Sequence, residues 1–129
     1  MKRDMDLIRE LLLKIEDHDP NSSSYDSIEI EGHSPREICE HVRLLESAGL
    51  IAGAHYDIAG NVWVQRITWS GYDYLDKVRD NTVWKKTKDV IKEKGLPLVF
   101  DTIKTIASAF ITAAAEGVAN SIIKNGGQV

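Results

Sequence analysis

One cysteine, three prolines, and no uncharged apolar run of bilayer length: what this 129-residue chain lacks limits it before any motif is considered. Cys39 alone cannot close an internal disulfide or furnish a cysteine-rich zinc site, so a reducing compartment is expected. The opening Met1-Lys2-Arg3-Asp4-Met5-Asp6 is charged and runs into an amphipathic stretch, without the apolar core of a signal peptide. A cytoplasmic location is therefore expected. Near the other end, the uncharged run 105–115 is far shorter than the ~20 residues a bilayer requires, and Asp101, Lys104 and Glu116 interrupt its surroundings. No membrane partner is expected. His18, His33, His41 and His55 show none of the paired spacings of metal ligands, and each is expected at the surface or as a cap. Gly49, Gly53 and Gly60 suit turns rather than a phosphate-binding loop. With no catalytic set, no metal site and no cofactor motif, the chain does not read as an enzyme.

What is present is ordinary globular composition, 43% hydrophobic and 28% charged, enough for one compact domain with an appendage. The net charge of −4 hides an asymmetry. Residues 1–76 carry 7 Lys and Arg against 15 Asp and Glu, a net of −8; residues 77–129 carry 9 against 5, a net of +4. Such a split makes the halves attract, and it usually means solvated faces before it means a bound polyanion.

Leu7, Ile8, Leu11, Leu12 and Ile15 recur at helical spacing and predict a first helix over 4–16, with Asp4 as N-cap and Asp6 in the first turn. Residues 17–24 carry Pro20 and no apolar period, so they read as a loop, and Asn21-Ser22-Ser23 is a glycosylation sequon in form only. Ile28 and Ile30 alternate with acids and predict a short edge strand over 27–31. The next helix is the best signalled. Ser34 caps it, Pro35 opens it, Glu37 stands at capping-box spacing, and Gly49 ends it, giving 35–48 with Ile38, Val42 and Leu45 inward and Cys39 and Leu44 at the margins. Strands over 51–58 and 62–69 follow, joined at Ala59-Gly60-Asn61, with Trp63, Gln65, Ile67 and Trp69 on one face. Thr68 or Ser70 caps a further helix in which Tyr72, Leu75 and Val78 pack at three-residue steps.

Three segments in this order, MKRDMDLIR, HVRLLESAGLI and TWSGYDYLDKVRDNTVW, resemble a family of uncharacterised phage and bacterial proteins known only as a domain of unknown function. The resemblance covers roughly residues 1–95. It implies a winged-helix domain of prophage type, similar more broadly to winged-helix regulators that end in a GLI, wing, T-x-x-G-x-x-x-L pattern, and it implies no catalytic residues. The chain departs from the regulator pattern in having no separate second helix between Glu16 and Ser34.

A helix over 82–94 is anchored by Trp84, Val90 and Ile91 and carries Lys85, Lys86, Lys88, Lys92 and Lys94. A solvated face accounts for these lysines; phosphate contact or docking on an acidic patch is the sharper alternative. Gly95-Leu96-Pro97 then breaks the chain, and a last helix is expected over 97–124. Its apolar stripe is Phe100, Ile103, Ala107, Phe110, Ala114, Val118 and Ile122, beside a ridge of small residues at Ala109, Ala113, Gly117 and Ser121 that admits a second helix backbone.

The expectation is thus an α+β chain divided into a winged-helix domain (1–80), a basic helix (81–95) and a C-terminal oligomerisation helix (96–129). Two functions fit it. One is a DNA-binding, regulatory homo-oligomer, a dimer before a larger assembly, with Arg36 and Arg43 on the reading helix and Lys85, Lys86 and Lys88 on phosphate. The other is an oligomeric adaptor that binds another protein and no DNA. In either, Phe100, Ile103, Ala109, Phe110, Ala113, Gly117 and Ser121 form the interface between copies.

Overall fold

In the computed structural model, residues 1–18 and 26–126 are described; most of the expected 17–24 loop, with the Asn21 sequon, lies outside them. The architecture is α+β. Helix α1 (Met5–Glu16) is followed by α2 (Pro35–Ser47), the strands β1 (Ile51–Tyr56) and β2 (Val62–Ile67), α3 (Trp69–Val78), α4 (Asn81–Glu93) and α5 (Phe100–Gly126). The chain forms two compact units, Met1–Asp76 and Lys77–Val129, and the boundary between them in sequence falls where the charge changes sign. The second holds α4 and α5 together.

Local chemistry explains most of the first unit. The Asp4 carboxylate accepts the Leu7 N–H at 3.1 Å and starts α1. Ser34 and Glu37 complete the capping box of α2, and Gly49, at φ 76°, turns the chain out of that helix in a left-handed conformation that costs glycine nothing. β1 and β2 pair antiparallel, with Ile51 opposite Ile67 and Tyr56 opposite Val62. β1 is shorter than expected because the hairpin turn takes up 57–61, and β2 because α3 begins at Trp69: in the turn, Asp57 N–H donates to the Asn61 carbonyl at 3.1 Å, and the Asp57 carboxylate accepts from both Asn61 N–H and Nδ2 at 2.8 Å.

The α1 stripe Leu7, Ile8, Leu11, Leu12 and Ile15 packs with Ile38, Val42 and Leu45 of α2 and with Ile51, Val62, Val64 and Ile67 of the hairpin in one core. Leu75 is equally buried.

Four expectations need correction. The segment 27–31 is not a strand: Ile28 N–H donates to the Val62 carbonyl at 2.9 Å, but Val62 N–H goes to the Ser27 hydroxyl at 3.1 Å. A side chain has taken the place of the next backbone rung. Trp69 is the first residue of α3 rather than the end of β2, and it is 84% exposed. In α3 the buried side is Gly71, Tyr74, Leu75 and Val78, at i, i+3, i+4 and i+7, so Tyr72 points outward. The cause is Gly71: a Cβ there would overlap the Leu50 carbonyl oxygen and press on the Ile67 methyl, so the helix seats this bare position against the hairpin base and rotates Tyr74 inside. Finally, α5 begins at Phe100 and not at Pro97.

In the second unit, Asp80 caps α4 by accepting the Val83 N–H at 2.9 Å. Trp84 and Ile91 are buried as expected, Thr87 is buried with them, and Val90 is half-buried. The short connection 94–99 turns α5 back along α4, where Ile103 and Ala107 become fully buried.

Candidate nucleic-acid interface and interaction surfaces

α2 presents two sides of opposite character. Ile38, His41, Val42 and Leu45 are buried, while Arg36, Glu40, Arg43 and Ser47 are exposed. The hairpin beside it restrains one of the two arginines: the Arg43 guanidinium lies 4.0 Å from the centre of the Tyr56 ring, and its Nε is 3.9 Å from Glu40 Oε1. Arg43 is therefore engaged by both Tyr56 and Glu40 while still about half exposed, whereas Arg36 is exposed in the first turn.

Acidic groups surround these cations. The Glu37 carboxyl is held below the usual carboxylate range, first by its hydrogen bond from His33, 3.2 Å away, and then by the Ser34 backbone N–H. At the hairpin tip, the side chain and backbone N–H of Asn61 hold the Asp57 carboxyl low in the same way. The tip thus presents a fixed negative charge, next to a fully exposed Ile58.

The sequence did not reveal the role of His41. It was expected at the surface or as a cap, yet it is 1% exposed. Its Nε2 accepts the Asp4 backbone N–H at 2.9 Å and its Nδ1 donates to the Glu37 carbonyl at 2.8 Å, so the ring joins the start of α1 to α2. Cys39 is half-buried; its thiol points to the Gly60 carbonyl at 3.4 Å, and burial raises its pKa, the reverse of what a nucleophile requires. Among the described residues no group of His, Cys, Asp and Glu has the arrangement to hold a metal ion.

On α4, Lys85 and Lys86 are exposed and border a shallow depression with Asn81, Thr82 and Asp89. Lys88 lies 5.4 Å over the Trp84 ring. These lysines belong to the second unit and the two arginines to the first.

On α5, Phe100 and Phe110 are half-buried and Ile103 is taken up entirely by the chain's own packing. Ala109, Ala113, Gly117 and Ser121 are all exposed. So are Ala114, Val118 and Ile122 of the apolar stripe. By length and composition the stretch Phe100–Lys124 is apolar enough to cross a membrane, with very little of it buried within the chain.

These features define a class: a small α+β protein with a capped, two-sided helix against a two-stranded hairpin and a long apolar C-terminal helix. The chain belongs to the family of hypothetical proteins DUF2513, whose profile matches residues 2–97. It is also similar to an uncharacterized protein of Haemophilus influenzae, 38% identical over 114 residues that cover 87% of this chain and 97% of that protein. No solved structure matches the chain. The family match ends three residues before α5 begins.

Proposed function

We propose that the protein is a winged-helix DNA-binding regulator of prophage type, working in the cytoplasm as a homo-oligomer without enzymatic activity. The observation that carries this reading is the outward side of α2, where Arg36 and Arg43 stand exposed on a firmly capped helix next to a hairpin. In winged helices the equivalent side enters the major groove while the hairpin meets the backbone. Lys85, Lys86 and Lys88 would add sequence-independent phosphate contacts.

The adaptor alternative has its own support. Glu40 and Glu46 flank Arg43 in sequence, Asp57 is fixed at the hairpin tip, and Arg43 is engaged by Tyr56, all of which weaken attraction to phosphate. A salt titration on random duplex DNA decides between them. Binding at low salt that falls steeply as salt rises, and that weakens further in Arg36→Glu and Arg43→Glu variants of unchanged stability, supports the regulator. Absence of binding at low salt overturns it in favour of the adaptor.

A further inference from the structure

The outward side of α3 carries four residues that neither the core nor the proposed DNA contacts use. Trp69, Tyr72, Asp73 and Asp76 stand at i, i+3, i+4 and i+7, opposite the buried Gly71, Tyr74, Leu75 and Val78, and all four are exposed. Trp69 is 84% exposed and Tyr72 42%. Single exposed apolar residues are ordinary, but a tryptophan and a tyrosine one turn apart are the residue types that anchor protein interfaces. The two acids do not serve the helix. Its first turn, where the helix dipole favours a carboxylate, holds neither.

The chemistry of this side discriminates among occupants. Nucleic acid and anionic lipid are repelled by Asp73 and Asp76 and by the net −8 of residues 1–76, and the stripe holds no lysine or arginine to offset them. A purely apolar partner would cover the rings but strip water from the Asp73 carboxylate without pairing it, which is costly. A cation satisfies both. Helix residues three and four apart have Cβ atoms roughly 5–6 Å from each other, so one guanidinium can lie on the Trp69 or Tyr72 ring and donate to Asp73. The chain makes the same arrangement within itself: the Arg43 guanidinium is 4.0 Å from the Tyr56 ring centre, and its Nε is 3.9 Å from Glu40.

We infer that the side of α3 bearing Trp69, Tyr72 and Asp73 docks an arginine-bearing segment of another protein, with the guanidinium stacked on an aromatic ring and paired to Asp73. Arginine fits better than lysine because its planar, weakly hydrated head stacks and donates a fork of hydrogen bonds at once. The inference goes beyond the regulator reading and uses none of its residues, so either can fail without the other.

Titration of the full-length protein with a short dye-labelled oligoarginine peptide, and with oligolysine of the same length, tests the inference. Fluorescence anisotropy gives the affinity, and the NMR signal of the Trp69 indole N–H, assigned by its absence from Trp69→Ala, gives the place. The expected result is a saturable shift of that signal with oligoarginine and weaker binding of oligolysine. Trp69→Ala should weaken oligoarginine binding about two- to fivefold, the range of an exposed cation–π contact. Asp73→Asn should weaken it as well, and more than Glu10→Gln, which removes an exposed acid from α1. All three positions are exposed, so unchanged melting curves are expected alongside. Equal affinity of Trp69→Ala and the unaltered chain, or equal losses in Asp73→Asn and Glu10→Gln, would mean diffuse attraction to the acidic unit and overturn the inference. So would a Trp69 shift produced by duplex DNA, by phospholipid vesicles or by concentrating the protein alone, since each identifies a different occupant.

Discussion

The imidazole of His41 accepts the backbone N–H of Asp4 at 2.9 Å, a bond that spans 37 residues of sequence and ties the first turn of α1 to the middle of α2. Because an amide can only donate, Nε2 must be the bare nitrogen and Nδ1 must carry the proton given to the Glu37 carbonyl. A fully buried ring thus has both nitrogens satisfied by backbone.

His41→Leu should therefore destabilise the fold by about 1–3 kcal/mol, since it keeps the bulk but leaves a partly buried amide donor without its acceptor. Urea unfolding measures the loss. An unchanged midpoint would show that the bond contributes nothing net. Amide exchange at Asp4 should accelerate in the same variant.

Leu45 is fully buried where α2 meets α1 and the hairpin. Leu45→Ala should cost about 2–5 kcal/mol, combining lost transfer energy with the cavity left behind. A cost well under this range, by thermal or urea unfolding, would mean that the site is not part of the core.

Gly71 and Gly49 test different physics. At Gly71 the conflict is with the Leu50 carbonyl oxygen, which is backbone and cannot move aside, so Gly71→Ala should reach the upper end of overpacking costs, about 3 kcal/mol. Gly49 has open space around it but φ 76°, so Gly49→Ala should cost about 1–2 kcal/mol from the left-handed conformation alone. Paired melting curves give the order, and a reversed order would refute the close approach of α3 to Leu50.

Glu37 sets a pH limb. Its folded-state pKa lies below the ordinary value of 4.5 because His33 and the Ser34 backbone favour the carboxylate. The stabilisation is complete above 4.5 and is lost as pH falls through the lowered folded pKa. Glu37→Gln should therefore flatten the fall in stability below about pH 4.5 and leave the curve above it parallel to that of the unaltered chain. Unfolding midpoints across the acid range check this; a slope equal to that of the unaltered chain would remove Glu37 from the acid transition.

The sequence determined what neighbouring residues can decide among themselves. Asp4, the Ser34–Glu37 box, Gly49 and the Ala59-Gly60-Asn61 turn act over a few residues, so they were legible as helix starts, a helix stop and a hairpin. The inward faces of α1 and α2 followed from period alone. Tertiary structure decided what depends on distant backbone. His41 looks like any polar helix residue until Asp4 supplies its partner, and the phase of α3 was set by the Leu50 carbonyl against Gly71 rather than by the spacing of Tyr72, Leu75 and Val78. Val62 N–H donates to the Ser27 hydroxyl rather than to a backbone carbonyl, a pairing 35 residues apart that the alternation of Ile28 and Ile30 does not show. On α5 the stripe pattern identified apolar residues correctly but not their cover, since α4 is only 13 residues long. Periodicity reports which side of a helix seeks burial; the length and position of its neighbour determine how much of that side is buried.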